Sequence, residues 1–314
     1  MSPKRDLIFD EREEPKKMMN TTTLTLLPTL LLSAVIASTT TAAATLPLNL
    51  GNYSWNITST SALAINAYNL GIFHEFGFNQ KEARKAMFTS TTLDPTCAMC
   101  HWGMSYVNGP FLNHPIMDAQ QLITTHAAIL TALKLSKASS HAATNFEKDL
   151  IEATALRYPD ANPARNQTTA FIAYANAMRQ LYVKYPNNPN VAALFAESLM
   201  NLEANNYFKN ETMGSDDKAI VPTGLRPFSK EASDVLLSVL SSTLRVFARH
   251  PFALHLYIHL TEAGVPGMKD GAMTGEEAAD ILRSLNYTGS GHLEHMPVRC
   301  LFGCWLLLLV VMCA

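Results

Sequence analysis

A cadence of helical stretches, each stopped or started by a proline, constrains this chain most. Asp94-Pro95, Tyr158-Pro159, Tyr185-Pro186 and His250-Pro251 recur along it. Proline lacks a backbone N–H and pushes the residue before it out of the helical region, so each pair marks a helix boundary. Between the breaks, amphipathic stretches run from Pro115 to Lys137, from about Ala142 to Arg157, from Thr168 to Lys184 and from Val191 to Leu202. In the last of these, Leu194, Phe195, Ala196 and Leu199 share one face. A further set covers Ser229 to Arg249, Phe252 to Ala263 and Glu276 to Leu285. No alternating strand pattern of useful length interrupts them. The exception is Asn205 to Phe228, which carries Gly214, Pro222, Gly224 and Pro227 without an apolar period and reads as a surface loop. The spacing of the breaks is irregular, so any repeats are degenerate.

The stretch from Ala64 to Pro110 shows what the repeating unit is. Leu70-Gly71 puts a small residue where two helices cross, Gly77 ends the first helix, and Ala83, Met87 and Ser90 recur at helical spacing on the second. With Pro95 as the stop, this resembles a tetratricopeptide repeat, a helical hairpin of about 34 residues. Ala67 and His74 stand where that repeat usually has Trp and Tyr. The expected fold is all-α, with degenerate tetratricopeptide-like hairpins stacked in a right-handed superhelix.

Three longer motifs sharpen the resemblance. DPTCAMCHWG followed by Gly109-Pro110, then HPFALHLYIHLTEAG, then GHLEHMP resemble one family of tetratricopeptide-repeat proteins of unassigned function. That family carries C-A-M-x-x-W-G, H-L-Y-I-H and G-H-L-x-H-M-P motifs, and the likeness covers Ala64 to Pro297. It implies the fold and little chemistry. After Pro297 this chain has Val298-Arg299-Cys300 where the family continues Ser-His, so the array reads as cut short.

The resulting division is a charged extension plus leader at residues 1–44, a linker at 45–60, the helical domain at 61–297 and an apolar tail at 298–314. Lys16-Lys17, the apolar run Leu24 to Ala37 and Ala42-Ala43-Ala44 have the layout of a secretory signal peptide cut near Ala44. Sequons at Asn52, Asn56, Asn166, Asn210 and Asn286 fit a glycosylated chain in the secretory pathway or at the cell surface. Gly289-Ser290-Gly291, a polar spacer and the tail CLFGCWLLLLVVMCA match a GPI signal that would attach the chain to a membrane. An intron read-through or a shifted reading frame also produces such a tail, and a GPI signal would remove His292 and His295 with it, so the GPI and histidine-cluster readings compete. A net charge of −2 over 314 residues, with no basic stripe, argues against a nucleic-acid partner.

Two constellations carry chemistry. Cys97-Ala98-Met99-Cys100-His101 has the spacing of a c-type haem attachment site, with His101 as axial ligand. The same residues are the small buried groups expected at a helix start, and a Cys97–Cys100 disulfide after export would be strained if both sat on a helix. The second constellation is His255, His259 and Glu262, which share one helix face, together with His292 and His295 on a later segment. Such a set holds a divalent metal ion or forms a buried hydrogen-bonded cluster. No G-x-S-x-G, P-loop or G-x-G-x-x-G is present, and no catalytic residue is assigned. The expected function is a scaffold that binds a peptide or protein in its concave groove; a metal-binding protein or metal-dependent enzyme is the alternative, and a haem protein the third reading.

Overall fold

The computed structural model describes residues 53–138, 143–204, 206–213, 219–242, 245–262, 273–287 and 289–298. The leader, the apolar tail beyond Val298 and the sequon at Asn52 lie outside them. The described chain is mostly helical: α1 (Ala62–Phe76), α2 (Gln80–Leu93), α3 (Ala98–Val107), α4 (Ala119–Ser136), α5 (Asn145–Ala155), α6 (Gln167–Lys184), α7 (Pro189–Met200), α8 (Pro227–Leu240), α9 (Arg245–Ala248), α10 (Pro251–Thr261) and α11 (Gly275–Ser284). Residues 291–298 are helical as well. No helix among the described residues is long and apolar enough to cross a membrane.

The helices begin where side chains satisfy their first free N–H groups. Asp118 with Gln121, Thr144 with Glu147, and Thr274 with Glu277 form reciprocal capping boxes on α4, α5 and α11. Proline opens α7, α8 and α10, where its missing N–H costs nothing. Consecutive helices pack on one another: α1 on α2, α3 on α4, α5 on α6, α7 on α8 and α10 on α11. Gly71 and Gly103 face Met87, whose side chain fills the space that a Cβ would take at either position.

Two features depart from the sequence reading. The segment expected as a loop at 205–228 contains an antiparallel hairpin, β1 (Phe208–Met213) with β2 (Ala219–Leu225). Its strands carry Thr, Ile and Val beside Gly and Pro, so turn residues masked a pairing that main-chain hydrogen bonds supply. The second departure is the segment read as a linker. Residues 53–60 form an extended strap whose alternate side chains are sequestered, with Trp55 and Ile57 buried. The strap touches the first helix of each successive pair. Trp55 N–H donates to Asn69 on α1, and its ring meets Trp102 on α3 at 5.4 Å. Thr58 donates through N–H and Oγ1 to Glu147 on α5. Tyr53 O–H donates to Asn190 on α7, and its ring packs against His250, the N-cap of α10.

Asp94, which caps the C-terminus of α2, anchors the end of this strap. Its carboxylate accepts from Ser59 Oγ, Thr60 N–H and Oγ1, and Thr96 N–H and Oγ1. Burial opposes its ionisation, but these hydrogen bonds outweigh burial and hold the carboxyl well below the usual range. The stack also closes on itself: α1 packs against α10.

Candidate metal centre

The site forms where the end of α1 meets α10. A helix leaves its last carbonyls without partners inside the helix. Here the Phe76 carbonyl is met by His255 Nδ1 at 2.6 Å. A carbonyl only accepts, so the His255 proton sits on Nδ1 and a neutral ring presents the Nε2 lone pair. One turn on, His259 Nδ1 lies 3.0 Å from Glu262 Oε1, at the C-cap of α10. A carboxylate likewise accepts the Nδ1 proton, and in the neutral ring this leaves His259 Nε2 as an acceptor; that atom is buried, and no described group bonds to it. The segment 291–298 brings His292 Nε2 to 3.1 Å from His255 Nε2, so His292 Nε2–H donates to that lone pair, and a bound metal ion would take the place of this proton.

Three imidazoles therefore converge, and one ligand atom from each of His255, His259 and His292 lies within 4.8 Å of the others. Tetrahedral Zn²⁺ with nitrogens about 2.0–2.1 Å away requires them about 3.3 Å apart, so the three rings would have to draw together slightly around an ion. The carbonyl and the carboxylate on the Nδ1 atoms fix tautomer and ring orientation in the way that metal-ligating histidines are held. His255 and His259 are buried at 0% and 5% exposure, while His292 is half-buried.

Of the five residues expected here, His255, His259 and His292 come together, and Glu262 supports His259. His295 does not join them: on 291–298 the inward positions belong to Leu293 and Met296, and His295 is exposed. At the other constellation, Cys97 and Cys100 are bonded to each other in a disulfide. Cys97 is the N-cap of α3 with extended backbone, so the pair is not set on two helical turns. His101 Nε2 is turned to the Pro95 carbonyl at 3.1 Å.

The residue that sequence reasoning missed is Phe78. Gly77 ends α1 as expected, but not in the left-handed conformation usual for a capping glycine, since its φ is −96°. Phe78 takes it instead, at φ 52°. Gly77 is needed for another reason: a Cβ there would lie 2.3 Å from Ser290 Oγ, where 291–298 begins. A bulky residue with positive φ stores strain on the order of 1–3 kcal/mol. That conformation sets the Phe78 ring against all three imidazoles, at centroid distances of 4.3 Å to His255, 5.5 Å to His259 and 5.3 Å to His292. The ring of Phe111 adjoins it at 5.1 Å. Nothing in a sequence shows the sign of φ at a phenylalanine.

A second polar group also escaped the sequence. Glu75 on α1, Arg157 after α5 and Glu197 on α7 are all buried. Arg157 Nη2 donates to the Pro110 carbonyl, its guanidinium lies 4.9 Å from the Tyr174 ring centroid, and Tyr106 O–H donates to Glu197. Burial, with Glu197 adding to it, pushes the Glu75 carboxyl well above its usual range. The available signal was Glu197 itself, a carboxylate within a run buried from Val191 to Met200.

No family model, no curated protein and no solved structure matches this chain.

Proposed function

We propose that this protein binds a divalent transition-metal ion of the Zn²⁺ class through His255, His259 and His292, at one end of a tetratricopeptide-like stack of hairpins. The observation that carries this reading is geometric: two buried imidazoles have their Nδ1 atoms against a carbonyl and a carboxylate, which in the neutral rings directs both Nε2 lone pairs toward a third histidine. Nitrogen donors suit Zn²⁺ and its neighbours over Mg²⁺ or Ca²⁺, which prefer oxygen. Three protein ligands leave a tetrahedral ion one position for water or substrate, the ligand count of hydrolytic rather than closed structural centres. An ion held there supplies a water acidified to near neutrality. The test is Co²⁺ loading of the purified protein followed by visible absorption. The wild type takes up about one ion with the intense bands of a tetrahedral site, and His259→Ala abolishes them. Uptake that His259→Ala leaves unchanged contradicts the proposal.

The same proposal places the chain in the secretory pathway. Its support is an exposed sequon asparagine at Asn56, Asn166 and Asn286, together with a disulfide suited to an oxidising compartment. Expression in a eukaryotic host should give a product whose mobility shifts on glycosidase treatment; an unshifted product argues against export.

The strap favours a second reading, a peptide-binding scaffold. An extended segment with alternating buried side chains already lies along α1, α3, α5 and α7. A partner peptide using this face has to displace it with a similar aromatic and aliphatic pattern.

A further inference from the structure

We infer that Phe78 controls access to the proposed metal centre: its ring must swing away before an ion or an exogenous ligand exchanges at the open position. The inference rests on the metal reading above and adds a specific role for one residue. Its basis is geometric. The backbone of α10 lies behind His255 and His259, the Phe76 carbonyl holds His255 from the end of α1, and 291–298 carries His292. Among the described residues, the Phe78 ring meets all three imidazoles from a further side, tilted by 18° and 30° from His259 and His292. His255 and His259 are sequestered, whereas Phe78 is half-buried and so borders solvent. Among the described residues, Phe78 is thus the solvent-bordering side chain outside the ligand set whose ring lies against all three imidazoles.

The backbone argues that this placement is specific to function rather than incidental to folding. Gly77 precedes Phe78 and has an ordinary φ, so the left-handed residue is the aromatic one. The residue that tolerates this conformation best is glycine, and asparagine is the next most tolerant. A phenylalanine kept in it points to a ring needed where it is. Phe78 and Phe111 also make the entry apolar and flat, which admits small or flat donor ligands ahead of bulky charged ones.

The variants Phe78→Gly and Phe78→Asn suit the local backbone and remove the ring, and Phe78→Tyr keeps it. Each is loaded with Co²⁺, and two rates are followed by absorption: loss of cobalt to EDTA and binding of azide. The expected result is unchanged stoichiometry in all three, with both rates at least tenfold faster in Phe78→Gly and Phe78→Asn and near wild type in Phe78→Tyr. Equal rates in all four proteins overturn the role of Phe78 and leave the metal centre standing. A wild type that binds no cobalt overturns both. A loss of cobalt stoichiometry confined to the ring-deleted variants makes Phe78 a structural support rather than a gate, and overturns the inference.

Discussion

At the scale of single residues, the histidines divide by what holds each ring. His250 N-caps α10: its Nδ1 accepts from Ala253 N–H at 3.2 Å, and its Nε2 faces Asn190 Oδ1 at 2.9 Å. The proton therefore sits on Nε2, and a second one on Nδ1 would oppose the Ala253 N–H. Burial pushes its pKa from the ordinary 6.5 to about 3. Between those values the unfolded chain binds the extra proton and the folded one does not. Stability from this group is full above pH 6.5 and is lost as pH falls toward 3. His250→Asn keeps a capping side chain but does not titrate. Urea unfolding should show a shallower acid dependence in that variant than in wild type over this window; identical slopes would contradict the assignment. His255, His259 and Glu262 were legible because a helix repeats every three to four residues. Phe78 and the buried Arg157 with its carboxylates were not, since one depends on a backbone sign and the other on distant segments meeting.

Among the elements, the end of α1 organises the site. It supplies the Phe76 carbonyl, the left-handed Phe78 and, at Gly77, a surface with no side chain against which Ser290 packs. A methyl at Gly77 collides with Ser290 Oγ, so that hydroxyl turns aside or 291–298 shifts, and a shift carries His292 with it. Gly77→Ala should cost about 1–3 kcal/mol in chemical unfolding, as overpacking does, and weaken cobalt binding as well. A variant with unchanged stability and unchanged cobalt binding would contradict this expectation and show that the Ser290 hydroxyl turns aside without moving 291–298. Proline breaks and helical periodicity made the elements readable: α6 was expected over Thr168–Lys184 and runs Gln167–Lys184. The stretch expected as one helix from Ser229 to Arg249 divides into α8 and α9, since periodicity alone does not register a break without proline. The hairpin at 208–225 was lost for the opposite reason, because Gly and Pro suggested a loop.

Over the whole molecule, the described helices form a stack that closes by contact of α1 with α10, with the 53–60 strap drawn along the first helix of each pair. The helical class follows from local pattern and was readable; the closure follows from contacts between residues far apart, such as Phe76 with His255, and was not. That closure also builds the site, since it carries α10 and 291–298 to the end of α1. The measurement that tests the account most directly is X-ray absorption at the metal edge of zinc-equilibrated protein. The account predicts three imidazole nitrogens and one further light atom at about 2.0–2.1 Å, with one imidazole fewer in His292→Ala. A six-coordinate oxygen shell, or a wild-type shell unchanged by His292→Ala, would contradict it.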